Sequence, residues 1–127
     1  MKKILIVDDD PIIRNLLLQI MEPFEEYGIE LLNANDGKAA LDIIKTSEPE
    51  VVFLDVMMPN INGFEVCKTV KNDYLLKDTY IIMLTAKGQE IDRQKAMDCG
   101  ADYYITKPFN IDEILKKIST VLGIHVP

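Results

Sequence analysis

The chain has 127 residues, a length that fits one domain with an ordinary core. Its formal net charge is −7, which argues against a general nucleic-acid surface because phosphate binding needs clustered Lys and Arg. No apolar stretch reaches the ~20 residues of a transmembrane helix, and the apolar run near the start is too short for a signal peptide. We therefore expect one cytoplasmic domain over residues 1–127 that contacts neither membrane nor nucleic acid directly.

Short apolar runs alternate with amphipathic stretches, which is the pattern of a doubly wound α/β domain with a parallel sheet and helices on both faces. The first predicted strand spans Lys3 to Val7, and Asp10 and Pro11 then predict the start of a helix. The helical spacing predicts its buried face at Ile13, Leu16, Leu17 and Ile20. A second, weaker strand covers Glu30 to Ala34.

The next helix is predicted over about Gly37 to Ser47, stopped by Glu48-Pro49. Its predicted buried residues are Ala40, Leu41 and Ile44. The third strand is the apolar run that ends at Asp55. A loop rich in Pro, Asn and Gly follows, and then a helix from about Gly63 to Lys71.

The fourth strand spans Tyr80 to Leu84 and ends at Thr85. A helix with a thin apolar stripe is predicted from Gln89 to Cys99, closed by Gly100. The fifth strand, Asp102 to Thr106, ends at Lys107-Pro108. The last helix has Asn110 and Glu113 as a capping pair, and Gly123 ends it. Its predicted inward residues are Ile111, Ile114, Leu115, Ile118 and Val121.

Polar side chains mark four of the predicted strand ends, namely Asp8 with Asp9, Asp55, Thr85 and Lys107. In an open parallel sheet the ligands bind outside the carboxyl ends of the strands, so we expect these groups to share one pocket. Carboxylates there repel by roughly 4 kcal/mol per pair at about 4 Å and an effective dielectric near 20. A divalent cation such as Mg²⁺ relieves that repulsion, and a carboxylate can accept a phosphoryl group as an aspartyl phosphate.

Four motifs carry a resemblance to a known family: Val7-Asp8-Asp9-Asp10-Pro11, Leu54-Asp55-Val56-Met57-Met58-Pro59, Leu84-Thr85-Ala86 and Lys107-Pro108-Phe109. Together they resemble the receiver domain of bacterial two-component response regulators, over essentially the whole chain. The resemblance implies a CheY-like fold with five strands in the order 2-1-3-4-5. It also implies phosphoryl transfer from a histidine kinase or phosphotransfer protein to Asp55, which switches an interaction surface.

The same resemblance implies a role for each site residue. Asp9, Asp55 and the backbone carbonyl of Met57 would ligate Mg²⁺, and Asp8 would assist through water. Thr85 and Lys107 would contact the phosphoryl oxygens. Tyr104 would be the aromatic switch that moves with Thr85, a route that Ala86 leaves open. Lys107-Pro108 would be a cis bond, and Gly63 would occupy a position closed to side chains.

Met57 and Lys87 match positions at which the family tunes the lifetime of the phosphoryl group. An apolar Met cannot orient an attacking water, so we expect a long-lived phosphorylated state. The domain would catalyse only its own phosphorylation and dephosphorylation and would not be an enzyme acting on other substrates. The cognate kinase, the downstream target, and whether the domain stands alone or belongs to a longer regulator are not predicted.

A homodimer through the last two helices and the fifth strand is a further expectation. Arg93 and Glu113 stand where the DNA-binding subclass pairs an Arg with a Glu across that face. The subclass's second acid after Gly-Ala-Asp is replaced here by Tyr103. Both charges can equally be solvated surface groups.

Two other functions need weighing. Asp8-x-Asp10 also resembles haloacid-dehalogenase-type phosphatases, with Asp8 as nucleophile, Asp10 as acid, and Thr85 and Lys107 as later motifs. That interpretation leaves Asp55 without a role. A pseudo-receiver that only binds would have lost an acid or the lysine, and none is lost. Cys67 and Cys99 belong to no metal-binding pattern and are interpreted as ordinary reduced thiols.

Overall fold

The structure is a computed structural model that describes residues 1–86 and 93–125. Within these ranges the strands form one five-stranded parallel sheet in the order β2-β1-β3-β4-β5. The strands are β1 (Lys3–Val7), β2 (Glu30–Ala34), β3 (Val51–Asp55), β4 (Tyr80–Thr85) and β5 (Tyr103–Thr106). The doubly wound α/β fold and its strand order are confirmed.

Five α-helices accompany the sheet in the described residues: α1 (Pro11–Met21), α2 (Gly37–Ser47), α3 (Gly63–Lys68), α4 (Arg93–Asp98) and α5 (Ile111–Leu122). The start of the fourth predicted helix, at Gln89, lies outside the described residues. The third helix, predicted to end at about Lys71, changes its type before that point. After Lys68 the backbone continues as a π-helix, Thr69–Asp73, in which the amide of Tyr74 donates to the oxygen of Thr69 at 2.9 Å.

Two apolar layers cover the two faces of the sheet. One layer contains α1 and α5, which pack on alternate strand residues such as Ile4, Ile6 and Phe53. The other contains α2 and α3, which pack on the intervening residues such as Leu5 and Leu54. The central strand β3 is buried at every position, as expected for a parallel strand covered on both faces.

Two predicted core positions are exposed. Leu16 is 38% exposed because it lies about a quarter turn away from the stripe formed by Leu17, Ile20 and Met21. Ile111 is 49% exposed because it is the first residue of α5 and lies beyond the stretch that the sheet covers. In the described part of the chain, no helix combines the length and apolar character that crossing a bilayer requires.

The register places the site residues at one edge of the sheet. Asp55 pairs with Leu84, and Thr85 pairs with Thr106, so the carboxyl ends of β3, β4 and β5 lie level with one another. Asp8 follows β1 directly, next to the end of β3. Four loops therefore begin close together at the edge where an open α/β sheet binds its ligands.

Candidate functional site

Three carboxylates form an acidic cluster at this edge. Asp8, Asp9 and Asp55 each offer an oxygen within 4.8 Å of the others. Asp8 is fully buried and Asp55 nearly so, whereas Asp9 is exposed and gives the cluster a side open to solvent. An all-oxygen, anionic donor set of this kind fits a hard divalent cation such as Mg²⁺.

Lys107 extends into this acidic cluster from the end of β5. Its Nζ donates to Oδ2 of Asp8 at 3.1 Å and lies 3.9 Å from Oδ1 of Asp55. The Lys107-Pro108 peptide bond is cis, as expected from the resemblance. One ammonium group therefore faces both buried carboxylates, and its charge offsets part of their repulsion.

Asp55 is the carboxylate whose ionisation the pocket opposes. Burial raises its pKa from about 3.8 to about 7, and the negative charge of Asp8 acts in the same direction. Lys107 and the amide of Met57, which donates to Oδ1 of Asp55 at 3.2 Å, act against this rise. Further positive charge in the cluster would favour the ionised, nucleophilic form of Asp55.

Thr85 ends β4 with a buried hydroxyl that is turned towards β5. Its Oγ1 donates to the main-chain oxygen of Ile105 at 3.3 Å and lies 3.4 Å from Oγ1 of Thr106. Tyr104 on β5 is half-buried and packs on the α2 and α3 side of the sheet. Its ring also lines a cavity of ≈ 460 Å³ together with Met97, Ala101, Asp102 and Tyr103.

The loop from β3 to α3 is held tightly against the phosphoryl-acceptor candidate. A Cβ on Gly63 would overlap the main-chain oxygen of Asp55 and lie 2.9 Å from Cα of Val56, so this position is closed to side chains. Met57 is 59% exposed beside Asp55. Ala86 is exposed after β4, and Lys87, the other predicted rate-tuning residue, lies outside the described residues.

Asp10 does not join the cluster. Its Oδ1 accepts from the amide of Ile12 at 2.9 Å, which makes it the N-cap of α1. In the phosphatase interpretation Asp10 would be the general acid, and its capping role leaves that interpretation without one. The amide of Asp10 in turn donates to Oδ1 of Asp8 at 2.9 Å, which helps to fix the Asp8 carboxylate.

Arg14 is a site residue that sequence reasoning missed. Its Nη1 donates to the main-chain oxygen of Asp8 at 2.7 Å, which clamps the start of the loop that carries Asp8 and Asp9. The signal was its position on α1, one turn before the buried Leu17 and two turns before the buried Met21. A cation on a buried stripe predicts an acceptor within its reach.

Comparisons with known proteins agree with this geometry. The profile of the response regulator receiver domain matches residues 4–119. Two relatives are 40% identical to the chain: the alkaline phosphatase synthesis transcriptional regulatory protein PhoP of Bacillus subtilis, over 95% of this chain, and the response regulator MprA of Mycolicibacterium vanbaalenii, over 98%. The matched regions make up 48% and 52% of those proteins, so the chain spans about half the length of these relatives.

Solved structures show the same likeness. A putative response regulator from Chloroflexus aurantiacus superposes with a TM-score of 0.83 at 32% identity, covering 96% of this chain and 98% of that one. The chemotaxis protein CheY4 of Vibrio cholerae superposes with a TM-score of 0.80 at 34% identity, covering 95% and 98%.

Proposed function

Because the chain belongs to the response regulator receiver domain family of two-component systems, we propose that it accepts a phosphoryl group on Asp55. The donor is a histidine kinase or a phosphotransfer protein, the reaction depends on Mg²⁺, and the product switches an interaction surface. One observation carries the proposal: Asp55 ends the central strand with Lys107 Nζ at 3.9 Å and two further carboxylates within 4.8 Å.

In this proposal an Asp55 oxygen attacks the phosphorus of a phosphohistidine, the P–N bond breaks, and a neutral imidazole leaves with the electron pair of that bond while its other ring nitrogen keeps its proton. Asp9, Asp55 and the backbone carbonyl of Met57 would hold Mg²⁺, with Asp8 assisting through water. When bound, the ion neutralises charge on the phosphoryl oxygens. Lys107 exchanges its contact with Asp8 for a phosphoryl oxygen, which preserves a charged partner for the ammonium group.

Switching would use Thr85 and Tyr104. Phosphoryl oxygens would draw the Thr85 hydroxyl away from its present partners on β5, and the Tyr104 ring would follow. The cavity beside that ring supports this, since it gives the ring space on the α4 side. The surface remodelled in this way is made of α4, β5 and α5, which we call the switch face. A few kcal/mol of new contacts is enough to change the population of such a state substantially.

The remaining parts of the proposal concern partners and location. The domain acts in the cytoplasm, catalyses no reaction beyond its own phosphorylation and dephosphorylation, and contacts no nucleic acid or membrane itself. Phosphorylation favours a homodimer through the switch face.

Incubation with acetyl phosphate and Mg²⁺ tests the proposal. We expect one acid-labile phosphoryl group, mapped to Asp55 by peptide mass spectrometry and lost in Asp55→Asn or in EDTA. Label on Asp8 would instead support the phosphatase interpretation, and no label on a folded protein would reject the proposal. Amide exchange with and without beryllofluoride tests the switching separately, because unchanged exchange over the switch face would reject it.

A further inference from the structure

Two thiols that are 32 positions apart meet between α3 and the end of α4. Sγ of Cys67, on α3, lies 3.4 Å from the main-chain oxygen of Cys99 and donates to it. The two thiols also lie close enough for each to change the ionisation of the other. Both cysteines are reduced, and both lie in the apolar layer on the α2 and α3 side of the sheet. Nothing in the sequence relates these two cysteines, whereas in the fold they lie next to each other.

Their closeness makes the two thiols chemically unequal, because the Cys67 thiol can donate to the Cys99 sulfur once that sulfur is ionised. Donation from Cys67 lowers the pKa of Cys99 to about 7. The same bond, together with burial, raises the pKa of Cys67 well above its usual value. Near neutral pH, Cys99 is therefore the sulfur that ionises, and Cys67 keeps its proton. Thiolates rather than thiols attack oxidants, so the pair contains one nucleophile and one neighbour in contact with it.

We propose that Cys67 and Cys99 form a modification site at which a small hydroperoxide produces an intramolecular disulfide. The Cys99 sulfur attacks a peroxide oxygen, the O–O bond breaks, and the leaving oxygen takes a proton, so Cys99 becomes a sulfenic acid. The Cys67 sulfur then displaces hydroxide from Cys99, and the Cys67 proton leaves with it as water. The two sulfurs lose the two electrons that the peroxide gains.

Burial determines which oxidant can reach the pair. Cys67 is fully buried and Cys99 is 4% exposed, so a bulky disulfide has no approach to either sulfur. Hydrogen peroxide is little larger than a water molecule and needs only a local opening at Cys99. The residues on either side, Asp98 and Gly100, are exposed, so Cys99 is the end of the pair nearer the surface.

The bond would tie the chain just after α4 to α3 and close the segment between them. A closed loop of this length restricts the unfolded chain, so we expect the oxidised protein to have a higher melting temperature. The disulfide would also restrain the end of α4, which belongs to the switch face. That last consequence rests on the proposed function, whereas formation of the disulfide does not.

Titration of the full chain with hydrogen peroxide tests the site. After denaturation and alkylation with N-ethylmaleimide, we expect a species that is lighter by two hydrogens and takes no label. Digestion should give a peptide linked through Cys67 and Cys99, and dithiothreitol should reverse the link.

Met57 and Met97, which are 59% and 71% exposed, report on the dose of oxidant, and the disulfide should form before their sulfoxides. Two labelled cysteines after both methionines have oxidised would overturn the proposal, as would disulfides formed only between molecules.

Two variants assign the order of attack. In Cys67→Ser, oxidation should stop at a sulfenic acid on Cys99 that dimedone traps. In Cys99→Ser, Cys67 should stay unmodified at the same dose. A sulfenic acid on Cys67 in the second variant would overturn the assigned roles. If either variant fails to fold, the measurement on the unaltered chain still decides whether the disulfide forms.

Discussion

Asp55 is the site residue whose ionisation destabilises the folded state most directly, because its buried carboxylate lies beside the buried carboxylate of Asp8. Its pKa of about 7 in the folded chain lies above the unfolded value near 3.8. The folded state therefore binds the proton more tightly, and this contribution to stability is present at low pH and lost as pH rises through about 7. The difference between these two pKa values corresponds to a loss of at most about 4 kcal/mol once Asp55 is ionised in the folded chain.

Replacing Asp55 with Asn should therefore stabilise the metal-free protein while abolishing phosphorylation. In EDTA, the gain in the free energy of unfolding should grow between pH 3.8 and about 7, where Asp55 of the unaltered chain is ionised in the unfolded state but still protonated in the folded state, and it should stay level at higher pH. Urea melts across this range measure the gain. Asp78→Asn, at an exposed acid, is the control and should change stability by less than about 0.5 kcal/mol at every pH. A gain that is absent at pH 8 would contradict the raised pKa of Asp55 that burial and the charge of Asp8 produce.

Met57 should control how long the phosphoryl group lasts. Its apolar side chain is 59% exposed beside Asp55 and offers no acceptor to an attacking water. Met57→Asn supplies that acceptor, while the amide that donates to Asp55 stays in place, so hydrolysis should become several-fold faster. Decay of the label after removal of acetyl phosphate measures the rate. Met97→Asn, at an exposed Met of α4, is the control, and equal decay in both variants would show that position 57 is not limiting.

At the scale of elements, α3 begins where the loop presses on the strand that carries Asp55. Gly63→Ala puts a Cβ against the main-chain oxygen of Asp55, and its nearest neighbours are all backbone atoms of Asp55 and Val56, which cannot move aside as a flexible side chain can. We expect a loss of about 1–3 kcal/mol of unfolding free energy, as for other overpacked sites, and slower phosphorylation of the displaced Asp55. Urea melts measure the first effect and acetyl phosphate labelling the second.

Gly28→Asn is the matched control for this change. Gly28 follows a 3₁₀-helix, Glu22–Tyr27, a Cβ there meets nothing within 4 Å, and Asn tolerates its positive φ. If Gly63→Ala is no more costly than this control, then the loop is not held against β3 in the way that the contact implies.

The strand ends at the acidic cluster were predictable because their apolar runs stop at polar residues, as Val7 is followed by Asp8 and Leu54 by Asp55. Helix starts were predictable from caps, since Asp10 and Asn110 accept from the amides that the capping pattern assigns to them. The π-helix at Thr69–Asp73 was not, because a shift in hydrogen-bond partner leaves no mark in hydrophobic spacing.

Contacts between residues that are far apart in the chain were the other feature that could not be predicted from the sequence. The bond from Arg14 to the oxygen of Asp8 depends on how α1 lies against β1, and the meeting of Cys67 with Cys99 depends on how α3 packs near α4. Neither pair is close in the chain, and hydrophobic periodicity specifies which face is buried but not which neighbour covers it.

For the molecule as a whole, the acidic cluster couples folding to metal binding. The native chain brings three carboxylates together and the unfolded chain disperses them, so Mg²⁺ should bind the native state preferentially. At about one hundred times its dissociation constant, the ion should add roughly 2.7 kcal/mol. The melting temperature should rise with MgCl₂ but not with NaCl of equal ionic strength, and Asp9→Asn should weaken the response. Equal shifts with both salts would rule out a specific site.

Assembly depends on whether Glu113 is available on the switch face. In the single chain its Oε1 accepts from the Tyr103 hydroxyl at 3.2 Å, and Lys117 Nζ lies 4.1 Å from the centre of the Tyr103 ring. A cross-dimer pair between Glu113 and Arg93, whose side chain lies outside the described residues, must compete with this local bond. Exposed ion pairs contribute up to about 1 kcal/mol, so each change here should alter the dimer dissociation constant by about five-fold at most.

Tyr103→Phe should therefore strengthen phosphorylation-driven dimerisation by releasing Glu113, and Glu113→Gln should weaken it. Sedimentation with and without beryllofluoride and Mg²⁺ measures both effects. Thr120→Ala, at an exposed position of α5, is the control for general changes in that helix. A chain that is monomeric in both states rejects the dimer. If Tyr103→Phe leaves the dimer dissociation constant unchanged, then Glu113 does not pair across the interface. Loss of the Tyr103 hydroxyl would in that case have released Glu113 without any effect on dimerisation.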